Sequence, residues 1–319
     1  MADPRIWILA DDRPGNVVQC VGVAEALGEP FIVKPVAYDV LGRMHNVLRG
    51  ATLIGLDPSS RAGLRPPWPE LVIAAGRRTA PLARWLKRTC GARLVQIMDP
   101  GWPGRGDFDL IAAPRHDRPL VRPNVIATLG SCHRVGPRLL AEAEAHWQGR
   151  LLEGPGPRVM LSVGGATKDC RFTPAHGRRL VAETLALASG LGARLMITTS
   201  RRTGRSLEAQ IAEGIPEPRY FHPWTDGAEN PYLAMLAQAD AVVVTGDSMN
   251  MCTEACATGV PVYIFAPPGV ASAKHARLHQ LLYELGYARP LGGDPTPWRH
   301  APLNPAFDVA AEIRARGLI

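Results

Sequence analysis

Residues 240–267, DAVVVTGDSMNMCTEACATGVPVYIFAP, decide how the rest of the chain is read. Residues 241–244 form a short β-branched apolar run between turn residues, as expected of a strand buried on both faces of a parallel sheet. The run stops at Thr245-Gly246. Asp247 or Ser248 then offers a side-chain oxygen to cap a helix reaching about Thr258, and Gly259 suits the left-handed stop. A second apolar run, 260–265, follows at once. Strand, loop, helix and strand in so few residues predict a parallel βαβ unit, and ligands of such sheets sit beyond the carboxyl ends of the strands. The backbone N–H groups of Ser248 to Asn250 then face that edge and suit a phosphate. Glu254, roughly two turns along the helix, places a carboxylate within reach of a ribose diol, although a solvated helix position would look the same.

Outward from this unit the same plan recurs. In the first half, a strand at 71–75 leads into Gly76-Arg77-Arg78-Thr79, a helix to about 89 and a strand at 93–97. Further strands are predicted at 6–10, 31–36, 109–113, 125–129, 159–163, 195–198 and 220–222. Helices are predicted after the loop at 11–15 and over 137–148, 174–190, 206–213, 231–239, 274–285 and 305–316, while 39–69 mixes helix-like apolar spacing with the Pro-rich loop RPPWP. Alternating strands and helices predict an α/β fold with mostly parallel sheets. A chain of 319 residues suits two domains of roughly 150 residues each. The Gly-Pro run at 153–157 is the best linker, giving domains at 1–152 and 158–304.

Composition narrows the partners. The formal charge is +7, the pI about 9.3 and the mean hydropathy −0.04. Such a balance favours an acidic partner: a nucleotide, a phosphorylated sugar or an anionic membrane surface. Nucleic acid is not expected, because the arginines are dispersed and no nucleic-acid-binding module is recognisable. No apolar run approaches the ~18 residues of a spanning helix, and the run at 6–10 is too short for a signal-peptide core, so a cytoplasmic protein is expected. The six cysteines include no CxxC pair, and Cys252 and Cys256 read as small core residues rather than metal ligands. No metal and no cofactor are expected.

The loops that leave strand ends carry the candidate chemistry. In the second half these are Gly164, Gly165 and Lys168, then Ser200, Arg201 and Arg202, then Asp247, Ser248, Asn250 and Glu254. Glycines let a backbone approach a diphosphate closely, and the cations can neutralise it. The P-loop pattern is absent, and so is GxGxxG after the first strand. In the first half the candidates are Asp11, Arg77, Arg78, Gln96, Asp99, His116 and Asp117. A carboxylate or histidine there would serve as general base toward an acceptor hydroxyl, with Arg77, Arg78, Gln96 and Asp99 on the acceptor side. Asp11 or Asp99 as a loop cap and His116 as a surface residue are the plainer readings. His133, His146, His176, His222 and His275 are read as structural or exposed.

The run EACATGVP resembles the nucleotide-sugar-binding helix of GT-B glycosyltransferases, with Glu254 seven places before Pro261. The segments DRPGN, GRRTAPLARWLK, VQIMDP, APRHDRP, SVGGATKDCRFT, ITTSRRTG and KHARLHQLLYELG, in this order, resemble one family throughout. It is the mitochondrial-fission, or "elongated mitochondria", family, whose bacterial members are taken to be glycosyltransferases. The resemblance implies a GT-B-like fold, two Rossmann-like domains facing across a cleft. It puts the donor in the second domain, the acceptor in the first, and the last helix, about 305–319, back on the first. It implies transfer of a sugar from a nucleoside-diphosphate sugar, with Glu254 on the ribose, to a glycan or glycolipid acceptor. Lipopolysaccharide core is one such acceptor, which a protein peripheral to the inner face of the membrane could reach. Where the family pattern has Asp-Gly-Arg-Pro-Gly-His, this chain has Asp11-Asp12-Arg13-Pro14-Gly15-Asn16, so Asp11 or Asp12 inherits the role of base. The alternatives are a non-catalytic adaptor on the same scaffold and a nucleotide-sugar epimerase.

Overall fold

The computed structural model describes residues 5–319 other than Glu153, Asp169 and Asp226. Glu153 of the expected linker therefore lies outside the described residues. The chain divides into two compact units, one of residues 5–134 with Pro305–Ile319 and the other Val135–Asn304.

The first unit runs β1 (Ile6–Ala10), α1 (Pro14–Leu27), β2 (Phe31–Pro35), the short helices α2 (Asn46–Arg49) and α3 (Pro58–Ala62), β3 (Leu71–Ala75), α4 (Gly76–Cys90), β4 (Arg93–Ile97), β5 (Leu110–Pro114) and β6 (Val125–Thr128). Its six strands are ordered β2-β1-β3-β4-β5-β6, every pair parallel. Every residue of β3 and β5 is buried, which is why these segments read as unbroken apolar runs rather than alternating ones. Ile6, Ile8, Leu71 and Val95 pack into one layer of core, and Trp7, Leu9, Val72 and Leu94 into the other.

The second unit runs α5 (Pro137–His146), β7 (Arg158–Val163), α6 (Pro174–Gly190), β8 (Arg194–Thr199), α7 (Arg205–Gly214), β9 (Arg219–His222), α8 (Tyr232–Gln238), β10 (Ala241–Thr245), α9 (Met249–Ala255), β11 (Val262–Phe265), α10 (Ala273–Glu284) and β12 (Arg289–Pro290). Its strands are ordered β12-β11-β10-β7-β8-β9, again all parallel. The last helix, α11 (Pro305–Ala315), belongs to the first unit and packs on α1.

Three details differ from the sequence reading. Helix α5 goes with the second unit, where it packs on α8, so the unit boundary falls at residues 134–135 rather than at the Gly-Pro run. Its partner lies some ninety positions downstream, and nothing local marks that pairing. Helix α4 starts at Gly76, so Arg77 and Arg78 sit in its first turn rather than in a preceding loop. Helix α9 ends at Ala255, and a 3-10 turn over Cys256–Thr258 carries the chain to Gly259, whose φ is 74°. The helix-like spacing within 39–69 corresponds to helices of only four and five residues, the first of which buries polar Asn46 and Arg49.

Strand order reverses once in each sheet, between β1 and β3 and between β7 and β10. The helices that follow the two strands at such a point lie on opposite faces, which opens a crevice at the carboxyl edge. Among the described residues no helix is long and apolar enough to cross a membrane.

Ala306, Val309, Ala310 and Ile313 of α11 are fully buried in the same core layer as Ile6, Ile8 and Val23. Ile313→Ala is expected to cost about 2–5 kcal/mol and to lower the urea midpoint of the first unit. An unchanged midpoint would mean that α11 is not part of that core.

Candidate functional site

Three loops of the second unit converge on the β7/β10 reversal and are bonded to one another. The Gly164 N–H donates to Thr245 Oγ1 at 2.7 Å, and the Gly165 N–H donates to Asp247 Oδ2 at 2.9 Å. Arg202 Nη1 reaches the same Asp247 oxygen at 2.7 Å and donates to the Gly165 carbonyl at 3.1 Å. Thr203 Oγ1 lies against the Gly164 and Val163 carbonyls and accepts from the Ser200 N–H at 2.9 Å. The Asp247 side chain is completely buried, and its Oδ1 has no hydrogen-bond partner among the described residues. A Cβ on residue 164 would overlap this carboxylate, and one on residue 165 would overlap the Arg202 carbonyl. The glycine pair is thus required by loop-on-loop packing.

This arrangement alters the roles expected from the sequence. The amides of Gly164 and Gly165 are already bonded within the protein, and Arg202 is paired with Asp247. Lys168 and Arg201 are exposed and make no ion pair with any described residue, so they are the cations this edge offers to a ligand. Ser248 caps α9 by accepting from the Met251 N–H at 3.4 Å, and Asn250 is half-buried in the first turn. His275, read as structural or exposed, stands at the start of α10 with Nδ1 2.7 Å from Ser272 Oγ. Burial lowers its pKa, while Asp247 opposes that shift and Arg202 adds to it.

Glu254 projects from α9 and accepts a 2.9 Å hydrogen bond from the Tyr232 hydroxyl of α8. Burial pushes its carboxyl up to about 7, against the bond from Tyr232, which favours the charged form. Sequence reasoning missed Tyr232, Thr203 and Thr245. Thr245 adjoins the quoted Gly-Asp-Ser motif and could have been found there, whereas Tyr232 has no local signal.

In the first unit the structure brings some candidates together and leaves others apart. Asp11 is 9% exposed beside Asn16, whose Nδ2 lies 3.4 Å from both carboxylate oxygens. Gln96 is buried with Nε2 donating to the Gly76 carbonyl at 2.9 Å, and Asp12 pairs with Arg78 at 2.5 Å. Asp11, Asp12, Arg77, Arg78 and Gln96 therefore cluster at the β1/β3 reversal. Asp99 follows β4 and is tied to Arg105 by two 2.7 Å bonds. His116, after β5, is 2% exposed with Nε2 3.9 Å from Asp117 Oδ1. Burial raises the Asp11 pKa against the Arg13 N–H, whereas the Arg78 hydrogen bond holds Asp12 low. For Asp99, burial is outweighed by Arg105 and the Gly101 N–H, and its pKa is lowered too. Asp11 is the carboxylate of this set with the raised proton affinity that a general base needs.

Two α/β units, each built on an all-parallel six-stranded sheet with one reversal of strand order, and a final helix returning to the first unit, make the GT-B arrangement of two Rossmann-like domains. The UDP-GlcNAc 2-epimerase from Methanocaldococcus jannaschii is similar, with a TM-score of 0.54 at 10% identity over 97% of this chain and 98% of that chain. The UDP-GlcNAc 2-epimerase from Neisseria meningitidis bound to UDP-GlcNAc has a TM-score of 0.50 at 12% identity over 98% and 99%. Identities so low speak for the fold alone. By sequence the chain matches the family described as "Mitochondrial fission ELM1" over residues 14–317, and it belongs to that family. It is 28% identical over 273 residues to the mitochondrial fission protein ELM1 of Arabidopsis thaliana, a match covering 77% of this chain but only 63% of the plant protein. It is also 28% identical over 351 residues to the uncharacterized protein RP120 of Rickettsia prowazekii (strain Madrid E), covering 97% of this chain and 98% of that protein.

Two outcomes are expected from this geometry. Gly165→Ala must displace the Arg202 backbone, and overpacking of this kind costs about 1–3 kcal/mol, to be seen in the melting of the second unit. The second concerns pH. The folded-state pKa of Glu254, about 7, lies above its ordinary 4.5, so folding favours the neutral carboxyl. Its contribution is fully present below pH 4.5 and is lost as pH rises through 7. Relative to wild type, Glu254→Gln should gain melting temperature between pH 5 and pH 8, and Tyr232→Phe should steepen the wild-type decline. A pH-independent difference between Glu254→Gln and wild type would contradict the assignment.

Proposed function

We propose that the chain is a GT-B glycosyltransferase that takes a sugar from a nucleoside-diphosphate sugar held by the second unit and passes it to an acceptor hydroxyl. The observation that carries this reading is Glu254. It is a partly desolvated carboxylate oriented by Tyr232, on the helix that leaves the strand beside the β7/β10 reversal. A carboxylate so placed gains by accepting the two hydroxyls of a ribose, which replace the water it has lost. Lys168 and Arg201 would stabilise charge on the departing diphosphate, with Asp247 and Arg202 fixing the loops that present them. Asp11 is the candidate general base toward the acceptor. The excess of positive charge suits a glycan or glycolipid acceptor bearing acidic groups, such as an envelope glycolipid at an anionic membrane surface.

A second reading, a non-catalytic adaptor on the same scaffold, is favoured by one specific feature. Both glycine amides and Arg202 are engaged internally instead of being open to a diphosphate.

The two readings separate in a thermal-shift panel of nucleoside diphosphates and their sugars, run on wild type and Glu254→Ala. A ligand at a hundredfold its Kd stabilises by about 2.7 kcal/mol, a readily measured shift. One nucleotide class is expected to stabilise the wild type and not the variant. If no nucleotide shifts the wild type, the transferase reading fails and the adaptor stands.

A further inference from the structure

The first unit has its own reversal of strand order, between β1 and β3, and a cavity of about 240 Å³ opens there. Its wall contains Arg13, Arg43, Arg49, Arg77 and Arg78 against a single carboxylate, Asp12. These side chains come from the loop after β1, the segment around α2 and the first turn of α4, so tertiary structure alone assembles them.

The five are not equivalent. Arg49 is 1% exposed and donates to the carbonyls of Ile54 at 3.2 Å, Arg78 at 3.3 Å and Gly42 at 3.5 Å. No carboxylate of the described residues lies within ion-pair distance of it. Holding a guanidinium out of water without a counter-charge is costly, and burial accordingly lowers its pKa. Arg78 stacks 4.8 Å over the Tyr38 ring and gives Nη1 to Asp12, while its Nε is buried without a hydrogen-bond partner among the described residues. These two are held rigidly. The side chains of Arg43 and Arg77 are exposed and make no hydrogen bond or ion pair with any described residue, so they can close on a ligand from outside. The fifteen-residue α4 adds the partial positive charge of its N-terminus to the same space.

We propose that this pocket binds the phosphate group of a phosphorylated small molecule, with Arg49 and Arg78 as its fixed floor and Arg43 and Arg77 as its mobile rim. A dianionic phosphate supplies the counter-charge that Arg49 lacks, and its oxygens match the forked donors of arginine better than a carboxylate does. The cavity of about 240 Å³ leaves room beside a phosphate for the organic group of a phosphate monoester. That this molecule is the sugar acceptor rests on the transferase reading above; the phosphate site itself does not.

Isothermal titration with glucose 6-phosphate and inorganic phosphate, and co-sedimentation with phosphatidylcholine vesicles with and without phosphatidate, test this on wild type, Arg43→Ala, Arg77→Ala and Glu254→Ala. The two arginine variants remove exposed, unbonded side chains, and unchanged melting will certify their fold. Binding to the soluble ester or to the phosphatidate vesicles is expected, identifying a free or a lipid-borne phosphate. Each arginine variant should weaken it about tenfold, while Glu254→Ala leaves it unchanged even if that variant abolishes nucleotide binding. No binding to either probe, or binding undiminished in both arginine variants, overturns the proposal. Weakening confined to Glu254→Ala also overturns it, because the phosphate would then be occupying the second unit.

Discussion

A single carboxylate with no access to solvent holds the edge of the second sheet. Asp247 accepts from the Gly165 amide and from Arg202, and so ties the ends of β7, β8 and β10 to one point. Burying an ion pair is rarely a net source of stability, since desolvation offsets most of the attraction. Its effect here is geometric. With one oxygen committed to two donors, the loops after three strands cannot move independently, and the glycine pair is confined to residues without a Cβ. Lys168 and Arg201 reach solvent from loops that are fixed at their base.

Glu254 shows the opposite balance on the same edge. Its desolvation makes the charged form costly in the absence of a ligand, and Tyr232 relieves only part of that cost. A group left in this state is less stable than it could be and correspondingly readier to accept hydroxyl protons.

The two reversals of strand order differ in how their charge is arranged. In the second unit the central arginine is neutralised by a buried aspartate. In the first, five guanidiniums share a wall with one exposed carboxylate, and the most buried of them rests on carbonyl oxygens. The overall charge of +7 therefore has a local expression. Part of it lies at the carboxyl edge of the first sheet, in the crevice where parallel sheets hold their ligands.

Much of the fold was legible because parallel strands buried on both faces leave an unmistakable record. The apolar runs at 71–75 and 241–244, closed by glycine and turn residues, fixed the α/β class and the edge where a site would lie. The glycine pair and the basic loops were singled out as candidates for the same reason, each standing next to a strand end, and Glu254 for its place on the helix that follows one. Tertiary structure decided the rest. The order of the strands, and hence the two reversals, depends on pairings between segments far apart in the chain. So do the partnership of Arg202 with Asp247 across 45 positions, that of Glu254 with Tyr232 across 22, and the packing of α5 on a helix of the second unit. Arg43 and Arg49 looked like dispersed surface charge, because charge composition carries no direction, whereas Arg77 was singled out only for following a strand. Only the folding of the segment around the short helix at 46–49 against the first turn of α4 placed them around one cavity.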